Sequence, residues 1–153
     1  MKGKAIIECV KDFMKKCSIL SNDIKVDYLN PDSKKENNWS IEQLETLQPI
    51  IKKNVLGTKT TRQFEFILAT RTFFNKVDDK TNINNLQMFD ELINWFYECT
   101  KNGDLPELND DETALSISCG SGYLYGTDKT NTIARYQCKC KLEYEKIEIE
   151  KRR

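Results

Sequence analysis

An α+β fold, with helices packed on one face of a mainly antiparallel sheet, is the architecture that this 153-residue sequence predicts. Three kinds of observation predict it. Some stretches repeat apolar residues at three- and four-residue steps, as amphipathic helices do. Others alternate apolar and polar residues with a period of two, as half-buried strands do. Turn-forming clusters of Gly, Asn, Asp, Ser and Pro separate the two kinds. The length suits one compact domain over residues 1–153 with a single core.

Ala5, Ile6, Cys9, Val10, Phe13 and Cys17 draw one apolar stripe along a first helix of about four turns. After the turn cluster Ser21-Asn22-Asp23, Ile24, Val26 and Tyr28 alternate with Lys25 and Asp27 as a strand, which Asn30-Pro31 ends. Asp32 to Asn38 is wholly polar and reads as an exposed loop. Ser40 with Gln43 fits a helical capping box, and Glu45 to Asn54 fits equally a strand with Leu47 and Ile51 inward. Gly57-Thr58-Lys59 reads as a hairpin turn leading into a strand from Arg62 to Phe74. Phe64, Phe66 and Leu68 lie on one face of that strand, Gln63 and Glu65 on the other.

Asn84 or Asn85 suits the N-cap of a second helix. Its stripes, Leu86-Phe89-Ile93-Phe96-Thr100 and Met88-Leu92-Trp95-Cys99, predict cover over most of its girth. Asn102-Gly103 supplies a left-handed stop, and Pro106 prevents the helix from restarting. Leu115, Ile117 and Cys119 alternate as a strand, and Gly120-Ser121-Gly122 marks a bend before Tyr123-Leu124-Tyr125. The last strand is the clearest. Ala134, Tyr136, Cys138, Cys140, Leu142 and Tyr144 face one way, while Arg135, Gln137, Lys139, Lys141, Glu143 and Glu145 face the other. Beyond it, Lys146 to Arg153 either prolongs the strand or frays. The sheet face turned away from the helices is expected to be polar.

Composition narrows the function classes. Lys plus Arg and Asp plus Glu both number 24, so the net charge is zero and gives no general attraction to a polyanion. The N-terminal apolar residues are interrupted by charges, unlike a signal peptide, so the protein is expected to be cytoplasmic at synthesis. No apolar run reaches the roughly 20 residues that a membrane helix needs. With no histidine, the commonest general base and metal ligand is missing, and Ser-His and Cys-His nucleophile pairs go with it.

Six cysteines, without a CxxC pair, read as unpaired small hydrophobes in the core rather than as a zinc site or bridges. Gly120-Ser121-Gly122 lies between strands, not before a helix, and is no phosphate loop. Asp78-Asp79 and Asp110-Asp111-Glu112 lack the distal pattern of a calcium loop. No catalytic residue, metal ligand or cofactor is expected, and the chain does not read as an enzyme.

The candidate functional residues are therefore those of an interface. Trp39, Tyr123 and Tyr125 lie beside turns rather than within a strong stripe, and such aromatics are favoured at interfaces. Arg135, Lys139 and Lys141, with Lys129, form a basic stripe on the last strand that Glu143 and Glu145 continue with opposite sign. Gly57 marks the exposed hairpin tip. Such a surface suits a neighbouring subunit or solvent better than nucleic acid. A nucleic-acid-binding module, with Tyr123 and Tyr125 as stacking platforms, is the alternative of a different class.

From Arg62 onward, over a little more than half its length, the chain resembles a family of phage proteins from Gram-positive hosts, called minor capsid, tail-completion or tail-terminator proteins. Gln63-Phe64-Glu65-Phe66 with Arg71 resembles the family's aromatic strand. Asn84-Asn85-Leu86, Phe89, Trp95, Gly103-Asp104-Leu105-Pro106 and Leu108 resemble its central helix and exit. Gly122 to Tyr125, Ile133 to Cys138 and Leu142-Glu143-Tyr144 resemble its closing hairpin.

The resemblance implies a structural virion protein made in the bacterial cytoplasm. It implies a ring, of six copies, at the head-proximal end of a tail, capping the tube and offering a surface to the head. The implied partners are further copies of the chain, the tail tube protein and the head-tail connector, with DNA only passing through. A head-side completion protein of similar fold is the near alternative. Rings of this kind need two different patches that close head to tail. The polar excursions at Asp32 to Asn38 and around Gly57 are the expected joining arms.

Overall fold

The computed structural model describes residues 3–20, 24–27, 29 and 38–148. In chain order the elements are α1 (Ile6–Met14), β1 (Ile24–Val26), β2 (Asn38–Gln43), β3 (Ile50–Lys53), β4 (Lys59–Phe73), α2 (Asp79–Asn102), β5 (Glu112–Cys119), β6 (Tyr123–Thr127) and β7 (Ile133–Ile147). The α+β class is as expected, with both helices on one face of a mixed, mostly antiparallel sheet of seven strands.

The two sequences with the cleanest period of two form the spine. β4 and β7, each of 15 residues, pair antiparallel along their whole length, from Lys59 opposite Ile147 to Phe73 opposite Ile133. That register sets Phe64, Phe66 and Leu68 against Leu142, Cys140 and Cys138 on the helix side, all of them buried. Beyond β4 come antiparallel β2 and, farther along the same edge, β3; beyond β7 come β5 and β6. β1 joins β2 in parallel and ends the sheet.

α1 is shorter than its stripe predicts, nine residues rather than about four turns. From Lys16 the chain continues in tight turns, with the amides of Lys16, Cys17 and Leu20 donating three residues back, and these still carry Cys17 and Leu20 into the core. α2 starts earlier than Asn84 or Asn85. Its N-cap is Asp78, whose carboxylate accepts from the Lys80 amide, and the Asn82 side chain in the first turn both accepts from the Asn75 amide and donates to the Asn75 carbonyl. No residue of the first two turns is buried, so the apolar stripe marks where the helix meets the core rather than where it begins.

Gly103 ends α2 at φ 74°, with the Asp104 amide reaching back to the Cys99 carbonyl. Fewer sides of this helix are covered than the two stripes predict. Phe89, Leu92, Phe96 and Cys99 are buried, whereas Leu86 is exposed at the margin. Thr100 docks the helix on β5, its hydroxyl donating to the Ile117 carbonyl and accepting from the Ile117 amide.

The middle of the chain corrects several expectations. Asn38 and Ser40 belong to strand β2 and are buried, so neither a loop at Asn38 nor a helix cap at Ser40 forms. Leu47 lies outside any strand and Ile51 sits at the β3 irregularity between Ile50 and Lys52, and both are exposed rather than inward. Val26 is exposed too, at the end of the edge strand, although it shares the sheet face of buried Ile24. In β5 a bulge between Ala114 and Ser116 skips Leu115 and turns it to solvent, while Ile117 stays buried. Strand β7 does continue through Lys146 and Ile147. Tyr28 and the loop from Asp32 to Asn37 lie outside the described residues.

Candidate functional site

The core decides first what is not at the surface. Trp39 is fully buried, with its ring 5.7 Å from that of Phe89 in an edge-on arrangement. It is a core residue and not an interface residue. Its position on β2, directly opposite Thr70, turns it toward the helices, and that pairing is invisible from the turn-rich sequence around it. Across the same face Phe13 of α1 meets Trp95 of α2 at 5.2 Å, and Trp95 meets Phe96 at 5.3 Å.

The remaining interface candidates fall in two places. Tyr123, Tyr125, Arg135, Lys139 and Lys141 gather on the outward face of β6 and β7, while Gly57 lies at the turn between β3 and β4. On the outward face a chain of side chains crosses the strands. The Arg135 guanidinium donates to Glu42 of β2 at 2.8 Å and to the Gln137 side-chain oxygen at 2.8 Å, and the Gln137 side-chain nitrogen donates to the Tyr123 hydroxyl at 2.7 Å. Arg135 also stands 5.1 Å from the centre of the Tyr125 ring.

Because β4 lies between β2 and β7, the Arg135–Glu42 pair runs diagonally over Ala69, which is fully buried. Ser40, Ile67 and Gln137 beside it are also buried, so this face is not uniformly polar and open. Farther along, Lys139 pairs with Glu65 at 3.3 Å and Lys141 with Glu143 at 3.3 Å. Arg135, Lys139 and Lys141 are thus each met by a carboxylate, two of them from strands distant in sequence.

The turn from Asn54 to Lys59 is built by Asn54, whose side-chain oxygen accepts from the Thr58 and Lys59 amides while Gly57 supplies φ 69°. At its tip Val55 and Leu56 stand 102% and 82% exposed, figures that mark them as bare apolar side chains. Leu47 and Ile51 on the β3 side and Ile147 at the end of β7 are exposed at the same end of the sheet. This apolar end was not legible in the sequence, where Leu47 and Ile51 fit an inward pattern.

A second feature escaped sequence reasoning altogether. Cys119, Cys138 and Cys140 converge on the helix side, all three sulfurs within 4.8 Å of one another and those of Cys138 and Cys140 at 3.7 Å. Cys119 stands opposite Cys140 in the β5–β7 ladder. The adjoining Gly120 amide bonds the Lys139 carbonyl at 2.8 Å, so the cysteines occupy the closer, non-hydrogen-bonded type of pair. The signal available was three cysteines at core-facing positions of two strands, but their register was needed to bring them together.

The sulfurs are inequivalent. The Cys138 and Cys140 thiols beside Cys119 pull its pKa well below the ordinary thiol value, whereas burial pushes Cys140 far up. Cys9, Cys17 and Cys99 are raised by burial alone or chiefly so. None of the six sulfurs is bonded to another.

An open groove of about 1020 Å3 runs between the start of α1 and residues 107–112. Two ion pairs lie along it, Lys4 with Asp12 at 3.1 Å and Lys146 with Asp111 at 4.0 Å. The Asn109 side chain clasps the Lys4 backbone there, accepting from its amide and donating to its carbonyl. Among the described residues no helix is long and apolar enough to cross a membrane.

No family model matches the chain, and no curated protein matches it.

Proposed function

We propose that this protein is a structural subunit that assembles into a ring, most economically a ring of six at the head-proximal end of a phage or phage-like tail, where it caps the tube and meets the head connector. The observation that carries the assembly reading is the β3–β4 tip. Val55 and Leu56 are held out in water by a turn that Asn54 and Gly57 make well defined. Bare apolar side chains on an ordered projection are what a heterologous contact needs on one of its two patches. The outward face, with charges of both signs in fixed pairs, supplies a surface suited to a protein neighbour. The phage assignment itself rests on the resemblance from Arg62 onward.

The test is an assembled tail imaged by electron microscopy with the protein located by its density. One ring at the head-proximal end is expected. A lone copy, or copies along the whole tube, overturns the terminator reading, and density on the head side of the connector assigns the chain to head completion instead. Deleting the gene is expected to give tails of irregular length that fail to join heads; normal tails that still join heads refute the proposal. Replacing Val55 and Leu56 together by Asp is expected to abolish incorporation while leaving the melting temperature of the isolated chain within about 2 °C, since surface substitutions cost within ~0.5 kcal/mol.

A further inference from the structure

We propose that Cys119, Cys138 and Cys140 form a binding site for one soft, thiophilic metal ion of the zinc type. Three features of the geometry carry it. First, the ligand atoms are already gathered. A tetrahedral zinc–thiolate site has Zn–S bonds of about 2.3 Å, which places its sulfurs roughly 3.8 Å apart. Cys138 and Cys140 stand at 3.7 Å, and no pair in the trio exceeds 4.8 Å. Moving the Cys119 sulfur by about 1 Å or less completes three corners of the tetrahedron, a shift within reach of a small change in its side-chain torsion.

Second, the ligands are held on rigid elements. Cys138 and Cys140 are successive core-facing residues of β7, and Cys119 is their cross-strand neighbour on β5 at a position where side chains approach most closely. Third, access is one-sided. Cys138 and Cys140 are buried, while Cys119 is half-buried beside the Gly120-Ser121-Gly122 bend, so an ion enters from that side and keeps its fourth position for water.

On binding, the dication replaces the remaining thiol protons, which pass to bulk water. Three thiolates and one dication leave a single net negative charge, and it lies toward the half-buried Cys119. Thiolates select zinc, cadmium and monovalent copper over magnesium or calcium, whose preference is for oxygen. A metal here would pin β5 to β7 at the point where the sheet hands over from β5 to β6. This role is independent of the ring, since it concerns the helix-facing side of the sheet.

The test is anaerobic titration of the reduced full chain with Co2+, followed by absorption. A thiolate-to-cobalt charge-transfer band that saturates at one equivalent and is bleached by one equivalent of Zn2+ is expected. Cys119→Ser is expected to abolish the band, and Cys9→Ser, a buried cysteine outside the trio, to leave it unchanged. Absence of a saturable band in the parent chain overturns the proposal, as does a band that survives Cys119→Ser or disappears in a folded Cys9→Ser. A cadmium-113 resonance of the Cd2+-loaded parent provides a readout that needs no variant: a shift characteristic of three sulfur ligands supports the site, and one characteristic of fewer refutes it.

Discussion

Gly122→Ala isolates one packing constraint. A methyl built on Gly122 would lie 2.2 Å from Cγ of Phe89, 2.4 Å from its Cβ and 2.5 Å from its Cδ2. Carbon atoms pack at about 3.5–4.0 Å, so the ring or the bend must move by more than about 1 Å. Phe89 has no room to do so freely, being fully buried and edge-on against Trp39. Backbone conformation adds nothing, because Gly57 and Gly103 are the glycines with positive φ. The whole cost is therefore steric.

Overpacking of this kind costs about 1–3 kcal/mol, which for a domain of this size lowers the melting temperature by roughly 2–12 °C. Phe89→Ala alone opens a cavity and costs about 3–5 kcal/mol. In the double variant the new methyl occupies part of that cavity, so the two effects are expected to be less than additive by roughly 0.5–3 kcal/mol. Chemical denaturation of the four proteins of the cycle measures this. A Gly122→Ala protein that melts within about a degree of the parent, or strict additivity, would show that the bend does not press on Phe89.

Phe66→Ala is expected to destabilise by about 3–5 kcal/mol, a large part of the ~5–15 kcal/mol available to a domain, and a near-parental melting temperature would contradict its complete burial. A double-mutant cycle on Glu42→Gln and Arg135→Met is expected to give a coupling of about 0.2–1 kcal/mol that shrinks in high salt, because both side chains are about a quarter exposed; no coupling at low salt would dissolve the outward-face network. Asp128 accepts from the Thr132 and Ile133 amides in the β6–β7 turn, and these bonds lower its pKa in the folded state. Its contribution is thus present above the unfolded carboxyl value and is lost as pH falls through the lower folded one. NMR titration of the carboxyl carbon checks the direction, and a midpoint at or above the ordinary value of 3.8 refutes it. Thiol counting in the denatured, unreduced, metal-free protein is expected to return all six cysteines; fewer would mean that bridges form.

What the sequence determined by itself is whatever repeats locally. The alternation in β4 and β7 fixed which residues of each strand face the helices, because consecutive side chains on a strand must point to opposite faces. Gly103 and Gly57 marked a helix end and a hairpin turn, since each needs a backbone conformation that other residues resist. Tertiary structure alone decided what depends on neighbours distant in the chain. Whether Trp39 is core or surface hung on the pairing of β2 with β4, and Leu115 left the inward face because a bulge absorbed it.

The partners of Arg135 and Lys139 come from Glu42 and Glu65, which a sequence-local charge pattern cannot supply. The three cysteines were each correctly placed at core-facing positions, yet nothing in their spacing put them together. Periodicity constrains one strand at a time, whereas strand order and register are settled by which combination of faces buries the most apolar surface at once. Metal-binding geometry, ion pairing and the exposed apolar tip are all properties of that combination.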